Sequence, residues 1–371
     1  MSDTISNLFH GEGNPRNSEG AFVELKDGRI LFAYTRYKGN SWADAATADI
    51  VGRVSADGGR TWGDWKLIFA NRAQNVMSVS LLRLQDGRIA LIFLEKSWLE
   101  RIPKLRRNVQ DKGILDCRPW ISYSSDEGET WTEPVDVCEY PPIYIVVNND
   151  RLVQLSSGRL ILPMAIHHKT SPNIKDDQVL GESNHNRSET FFFLSDDGGA
   201  NWREAKQCCY PPQWLTSGLR EPGVVELKDG RVMAWFRTNA GHQYKAFSSD
   251  GGESWTQAVP APEFPSNESP LSIKRDPASG DLVAVWSDLD PRWGIKPTPE
   301  SWFRTPLVIA RSSDDGETWH DHRILEGEPD HGFCYIAMLF TQGGLLLAYC
   351  CGGGKGCAVL QDLRIRRIEW K

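Results

Sequence analysis

Apolar and polar positions alternate along the chain in short runs that are separated by turns containing glycine. In VELKDGRILFAY around Gly28, two apolar runs flank an Asp-Gly turn, which is typical of a β-hairpin. The same pattern returns five more times, around Gly87, Gly158, Gly230, Gly280 and Gly343–Gly344. Six hairpins in succession predict a protein that is built almost entirely of β-strands.

A second repeat follows each of the first five hairpins. It is the octapeptide Ser-x-Asp-x-Gly-x-x-Trp, called the Asp-box below, which first occurs as SADGGRTW from Ser55. Further copies begin at Ser124, Ser195, Ser248 and Ser312. Its serine and aspartate can accept hydrogen bonds from turn amides, its glycine permits a positive φ, and its tryptophan can pack into the sheet. We therefore interpret the Asp-boxes as structural turns and expect no catalytic role for their aspartates.

The two repeats define one unit: strand A, Asp-Gly turn, strand B, variable loop, strand C, Asp-box, strand D. Six units of roughly 60 residues predict a six-bladed β-propeller of four-stranded antiparallel blades, with residues 1–371 in a single domain. The last unit, CAVLQDLRIRRIEW, lacks an Asp-box, so we expect the amino-terminal segment to complete it. Because strands alternate in direction, the B–C and D–A connections share one face of the ring, opposite the Asp-boxes.

Composition excludes several classes of protein. Charged residues at 25% and hydrophobic residues at 40% are typical of a soluble protein with a core, and the net charge of −7 argues against a nucleic-acid-binding face. No stretch approaches the roughly 20 apolar residues that span a bilayer. The segment MSDTISNLFHGEGNP has no charged region followed by an apolar run, as a secretory signal would. We expect a cytoplasmic protein that binds neither nucleic acid nor membrane.

The eight cysteines include two adjacent pairs, Cys208–Cys209 and Cys350–Cys351. No cysteines or histidines are spaced like the ligands of a zinc site, so the sequence predicts reduced thiols and no metal.

Polar residues on the B–C and D–A face carry a resemblance to the sialidase (neuraminidase) superfamily that extends over essentially the whole chain. LREPGVVELKDGRVMAWFRTN has Glu221 at the start of one strand and Arg237 at the end of the next, as sialidases place a glutamate and an arginine. In FRTPLVIARSSDDGETW, Arg304 has the spacing of another member of the family's arginine triad. In HGFCYIAMLFTQGG, Tyr335 stands where sialidases keep a nucleophilic tyrosine.

Two further positions complete the resemblance. Asp44, in the first B–C loop, resembles the family's acid/base aspartate, and Asp49 is the alternative. Arg16 is the candidate for the first arginine, although NPRNSEG replaces the usual Phe/Tyr-Arg-Ile-Pro, and Glu19 then acquires a role that ordinary sialidases lack. Other residues expected on the same face are Glu19, Arg36, Asn149, Asp150, Arg151, His167, His168 and Arg220.

The resemblance implies a retaining exo-glycoside hydrolase that removes a terminal sialic or related acidic sugar. Arginines bind the sugar carboxylate bidentately, and a neutral tyrosine avoids the repulsion that a carboxylate nucleophile would suffer. Glu221 is then the base for Tyr335, and Asp44 is the acid that protonates the leaving group. The expected partner is an acidic glycan or oligosaccharide, and this chemistry requires no metal or organic cofactor.

Two other functions stay open at this point. A polysaccharide lyase or a non-sialic glycosidase could use the same scaffold, because one propeller fold hosts many chemistries. A lyase needs a base beside a uronate C5 proton and does not require the pair of Tyr335 and Glu221. A non-catalytic carbohydrate-binding propeller would tolerate the loss of both residues, and Glu221 beside Arg220 is also compatible with a structural salt bridge.

Overall fold

In the part of the chain that the computed structural model describes, residues 3–99, 114–140, 143–169 and 186–370, 25 β-strands form six antiparallel sheets. Each sheet is one blade of a β-propeller, so the predicted six-bladed all-β fold is confirmed. The first strand is β1 (Thr4–Leu8). Blade 1 contains β2 (Asn17–Glu24), β3 (Ile30–Tyr37), β4 (Ala48–Ser55) and β5 (Lys66–Phe69). Blade 2 contains β6 (Asn75–Arg83), β7 (Ile89–Leu99), β8 (Ile114–Ser124) and β9 (Val135–Asp136).

The remaining four blades follow in chain order. Blade 3 contains β10 (Ile145–Val146), β11 (Val153–Gln154), β12 (Leu160–Lys169), β13 (Asn186–Ser195) and β14 (Arg203–Glu204). Blade 4 contains β15 (Arg220–Glu226), β16 (Val232–Arg237), β17 (His242–Ser248) and β18 (Val259–Pro265). Blade 5 contains β19 (Ser272–Arg275), β20 (Leu282–Ser287), β21 (Leu307–Ser312) and β22 (His320–Glu326). Blade 6 contains β23 (Cys334–Thr341), β24 (Gly344–Cys350), β25 (Leu363–Glu369) and β1. Two 3-10 turns, Pro291–Trp293 and Pro299–Ser301, lie in the B–C loop of blade 5.

The amino-terminal strand closes the ring as the sequence predicts. β1 pairs antiparallel with β25, from Thr4 opposite Arg367 to Leu8 opposite Leu363, and so becomes the outermost strand of blade 6. One sheet therefore joins both ends of the chain.

The hydrogen bonds of the repeated turns are local. In the first Asp-box, Ser55 Oγ accepts from Gly59 N at 2.8 Å and Asp57 Oδ1 accepts from Thr61 N at 2.9 Å. Gly59 has φ +86°, which an L side chain rarely adopts. The Trp62 ring lies 5.9 Å from that of Phe22 in the same blade. These contacts hold the C–D turn and leave the aspartate facing its own loop.

The apolar core lies between neighbouring blades. Seven clusters of buried side chains occur among the described residues. Six lie at the interfaces between adjacent blades, and a small seventh one within blade 6 contains Cys334, Cys350, Val359 and Leu360. Trp286, for example, is fully buried in the cluster between blades 4 and 5. No helix among the described residues is long and apolar enough to cross a membrane.

The inner strand of blade 3 departs from the predicted continuous strand A. β10 and β11 pair with opposite ends of β12, and residues 147–152 between them leave the sheet. Asn149 Nδ2 donates to the carbonyl oxygens of Gly20 in blade 1 (2.8 Å) and Tyr335 in blade 6 (3.1 Å). Arg151 donates to the Leu271 carbonyl of blade 5 at 2.8 Å. Polar groups of this segment therefore tie four blades together across the axis.

Candidate active site

Four inner strands each contain a bulge at the equivalent position. The register shifts between Ser18 and Ala21, Met77 and Ser80, Arg220 and Gly223, and Cys334 and Ala337. The first bulged residue of each has a positive φ: Glu19 (50°), Ser78 (59°), Glu221 (46°) and Tyr335 (59°). Bulges re-aim side chains, and a positive φ is uncommon for residues other than glycine. All four side chains line one cavity of about 590 Å³.

Tyr335 and Glu221 form the centre of this cavity. The Tyr335 hydroxyl donates to Glu221 Oε1 at 3.0 Å, and Arg237 Nη1 lies 2.8 Å from the same oxygen. Burial by itself would raise the pKa of Glu221, but the charges of Arg237 and Arg304 outweigh it and hold that pKa below its usual range. Burial and the Glu221 charge raise the pKa of Tyr335 well above its ordinary value. The pair at neutral pH is therefore a carboxylate that accepts a hydrogen bond from a protonated phenol.

Three guanidinium groups surround this pair: Arg220, Arg237 and Arg304. Arg220 Nη1 lies 3.1 Å from Glu268 Oε2, and Arg304 Nη2 donates to the Glu268 carbonyl at 3.2 Å. Burial, together with the neighbouring Arg237 charge, lowers the pKa of Arg220. Three positive groups here face two carboxylates, Glu221 and Glu268, so an anionic ligand would relieve repulsion between arginines.

A second polar group occupies the blade 1 side of the cavity. Arg16 is fully buried and forms ion pairs with Asp44 and, at 3.0 Å, with Glu19. The hydroxyl of Ser78 donates to the other Glu19 oxygen. Burial raises the pKa of Glu19, and the Arg16 charge opposes this shift. Glu19 and Asp44 line the cavity, whereas the Arg16 guanidinium lies behind them.

Most of the remaining wall is apolar or aromatic, and Lys96 and Asn148 also line it. It includes Met77, Leu94, Tyr144, Val146, Leu360, Trp42 and Trp302. Small-molecule pockets combine such surfaces with a few convergent polar groups. The arrangement can hold an anion, activate a hydroxyl and provide a carboxyl group on the opposite side.

A family model described as BNR repeat-like domain matches residues 107–347, which is more than half of the chain. The chain belongs to the sialidase superfamily. Within it, a sialidase of Bacteroides fragilis (strain YCH46) is 24% identical over 354 residues, which cover 85% of this chain and 57% of that protein. The chain thus spans little more than half the length of that relative.

Solved structures show the same fold. A protein of unknown function from Dyadobacter fermentans has a TM-score of 0.74 at 18% identity and covers 99% of this chain and 98% of its own. A Trypanosoma rangeli sialidase, solved with 2,3-difluorosialic acid as a covalent intermediate, has a TM-score of 0.67 at 15% identity. That match covers 98% of this chain and 59% of the other. At these identities the likeness concerns the fold, and the site has to be argued from its own residues.

Most of the site residues that the sequence of this sialidase-superfamily protein predicts line the cavity. They are Glu19, Asp44, Arg220, Glu221, Arg237, Arg304 and Tyr335. Asp49, the alternative to Asp44, instead pairs with Lys38 at 2.9 Å.

Two other expectations have a different outcome, and the expectation for the two histidines falls outside the described side chains. Asp150, in the segment of residues 147–152, does not line the cavity. It pairs with Lys274 at 2.7 Å and accepts from Met338 N at 2.9 Å. Arg36 stacks on the Trp65 ring at 4.7 Å. His167 lies opposite Ser188 in the β12–β13 pairing, and its side chain, like that of His168, falls outside the described residues.

Sequence reasoning missed Ser78, Lys96 and Glu268. Ser78 precedes Leu84 of its hairpin by the same six residues that separate Glu19 from Leu25, so an alignment of the hairpins could have found it. Lys96 lies near the end of the second strand of its hairpin, like Arg237 in its own, and donates to the Asp44 carbonyl at 3.2 Å. Glu268 precedes the irregular fifth hairpin, where the same offset fails.

Proposed function

We propose that this protein is a retaining exo-glycoside hydrolase that removes a terminal sialic or related acidic sugar from a glycan. The observation that carries the proposal is the 3.0 Å hydrogen bond from Tyr335 to Glu221 in a cavity lined by three guanidinium groups. Sialidases are the glycosidases in which a tyrosine replaces the nucleophilic carboxylate.

The sugar carboxylate binds to Arg237, Arg304 and Arg220 in this mechanism. These groups line the cavity, whereas Arg16, the expected first arginine, is held by Glu19 and Asp44. Bidentate contacts from different directions fix the carboxylate and with it the anomeric carbon. Arg16 then orients Asp44 in place of binding the substrate.

The reaction has two steps. Glu221 accepts the Tyr335 proton as the phenolic oxygen attacks the anomeric carbon, and Asp44 donates a proton to the departing oxygen. Asp44 next removes a proton from water, which displaces Tyr335, and Glu221 returns the phenolic proton. The cations of Arg237 and Arg304 beside the phenol stabilise its developing negative charge.

The test combines turnover with trapping. Wild type should hydrolyse a fluorogenic α-sialoside, and Tyr335→Phe should abolish this turnover. Tyr123→Phe is a matched control, because its hydroxyl donates to the Gly199 carbonyl outside the cavity. Incubation with 2,3-difluorosialic acid should add one sugar to the peptide that contains Tyr335, as measured by mass spectrometry.

The other functions predict different results. Activity on a uronate polymer or a neutral glycoside, with none on sialosides, would show that the same fold acts on a different substrate. Arg16, which the resemblance assigns to carboxylate binding, is paired with two carboxylates of the protein. The assay should therefore include a panel of other acidic sugars. Saturable glycan binding without turnover or adduct would indicate a binding propeller.

A further inference from the structure

Three side chains with donor atoms for a metal meet where the two ends of the chain join. His10 follows β1, and Cys357 and Asp362 lie in the loop between β24 and β25. His10 Nδ1 is 2.7 Å from Asp362 Oδ1 and 3.9 Å from Cys357 Sγ, and Cys357 Sγ is 3.4 Å from Asp362 Oδ2. One donor atom of each residue lies within 4.8 Å of the other two.

The geometry differs from that of a nucleophile with its base. In such a relay, the nucleophile and the orienting acid contact opposite nitrogens of the imidazole ring. Here the thiol and the carboxylate both face Nδ1 of His10. Three different donors therefore converge on one point, as the ligands of a chelated ion do.

The set of donors has the chemistry of a zinc-class site. Zinc takes thiolate, imidazole and carboxylate ligands at about 2.0–2.3 Å in tetrahedral geometry. Donor separations of 2.7–3.9 Å approach those of a tetrahedron with such bonds. The His10 side chain is 33% exposed, which leaves access for the ion and room for a water ligand.

Hydrogen bonds from neighbouring groups hold the three residues and their loop in place. Asp362 Oδ1 also accepts from the His10 backbone amide at 2.7 Å. Gln361 Oε1 accepts from Ala358 N at 2.7 Å, and Gln361 Nε2 donates to the Pro15 carbonyl at 3.0 Å. Such outer contacts orient metal ligands and reduce the cost of assembling them.

We propose that His10, Cys357 and Asp362 bind one zinc-class divalent cation, which clamps the closing strand β1 to the loop before β25. An ion that binds only the folded chain stabilises it by mass action. Because β25 is the only described strand that pairs with β1, the clamp acts where the ring closes. The site lies outside the residues proposed to react with the sugar, so it stands or falls independently of that function.

The experiment uses the full chain, stripped with a chelator and titrated with Co²⁺ and then Zn²⁺. Wild type should bind one equivalent of Co²⁺ with a thiolate charge-transfer band, and Zn²⁺ should displace it and raise Tm by several degrees. Cys357→Ser should lose the band and the Tm shift. Cys208→Ser, a half-buried free cysteine in another loop, should behave as wild type.

A second variant distinguishes a loss of metal binding from a loss of folding. His10→Asn should retain the metal-free Tm to within a few degrees, yet bind Co²⁺ at least tenfold more weakly. A wild type without a stoichiometric band, or a band that survives in Cys357→Ser, would overturn the proposal. The three residues would then form only a hydrogen-bonded cluster.

Discussion

Glu19 and Glu221 occupy the same bulge position in blades 1 and 4, yet they face different partners. Glu19 pairs with Arg16 at 3.0 Å, whereas Glu221 accepts from Tyr335 at 3.0 Å and pairs with Arg237 at 2.8 Å. Burial raises the pKa of Glu19, whereas burial at Glu221 is outweighed by neighbouring arginines and its pKa is lowered. One repeated backbone feature thus presents two carboxylates of different character to one cavity.

Glu221→Gln should lower kcat by about 10²–10⁴-fold, which is the usual contribution of a general base. The amide keeps the shape and the contact with Tyr335 but cannot accept its proton. Because the pKa of Glu221 lies below its usual range, the wild-type base stays ionised, and kcat/KM should not fall through this group between about pH 7 and pH 5. Initial rates across pH measure both effects, and a loss below tenfold would remove Glu221 from the mechanism.

Arg220→Met should lower kcat/KM for an acidic substrate by about 10–100-fold. A charge-assisted hydrogen bond contributes about 1.5–3 kcal/mol, and about 1.4 kcal/mol corresponds to tenfold. Arg231→Met is the matched control, because Arg231 pairs with Asp229 in an exposed turn. Equal losses in the two variants, measured by initial rates, would mean that Arg220 does not contact the carboxylate.

Arg16→Met should destabilise the fold by about 3–5 kcal/mol, since it leaves the buried carboxylate of Glu19 without its cation. Burial, no longer opposed by the Arg16 charge, then raises the pKa of Glu19 further, so the folded state binds a proton more readily than the unfolded state. The loss should therefore be larger near pH 8 than near pH 5. Urea unfolding at both pH values measures it, and a loss that grows as pH falls would contradict the argument.

Asp126→Asn should flatten the acid limb of the stability curve. The side-chain hydrogen bond from Thr130 and the other turn bonds lower the pKa of Asp126 to about 2. A depressed folded pKa adds stability above the unfolded value of about 4, and this stability is lost as pH falls toward 2. Unfolding free energies from pH 7 to pH 2 measure the change, and Thr130→Val should reduce the same limb. If the stability of both variants depends on pH as that of wild type does, the Asp-box aspartate does not contribute to the loss of stability in acid.

The sequence by itself determined the blades, their turns and the closing strand. Asp-Gly turns and Asp-boxes are recognisable because each is made by hydrogen bonds among residues a few positions apart, such as Ser55 and Gly59. The alternation of strands then assigns the B–C and D–A connections to one face. That face includes Glu221 and Tyr335.

Only the tertiary structure decided which side chains meet on that face. Tyr335 and Glu221 are 114 residues apart, and His10 and Cys357 are 347 apart, so blade packing sets their separations. The bulges that turn Glu19 and Glu221 inward are register shifts between paired strands, and the interruption between β10 and β11 places Asp150 near the axis; neither feature is marked by a turn motif such as the Asp-box. Short sequence motifs determine local hydrogen bonds, whereas the burial of side chains and the pairing of charges depend on how the ring closes.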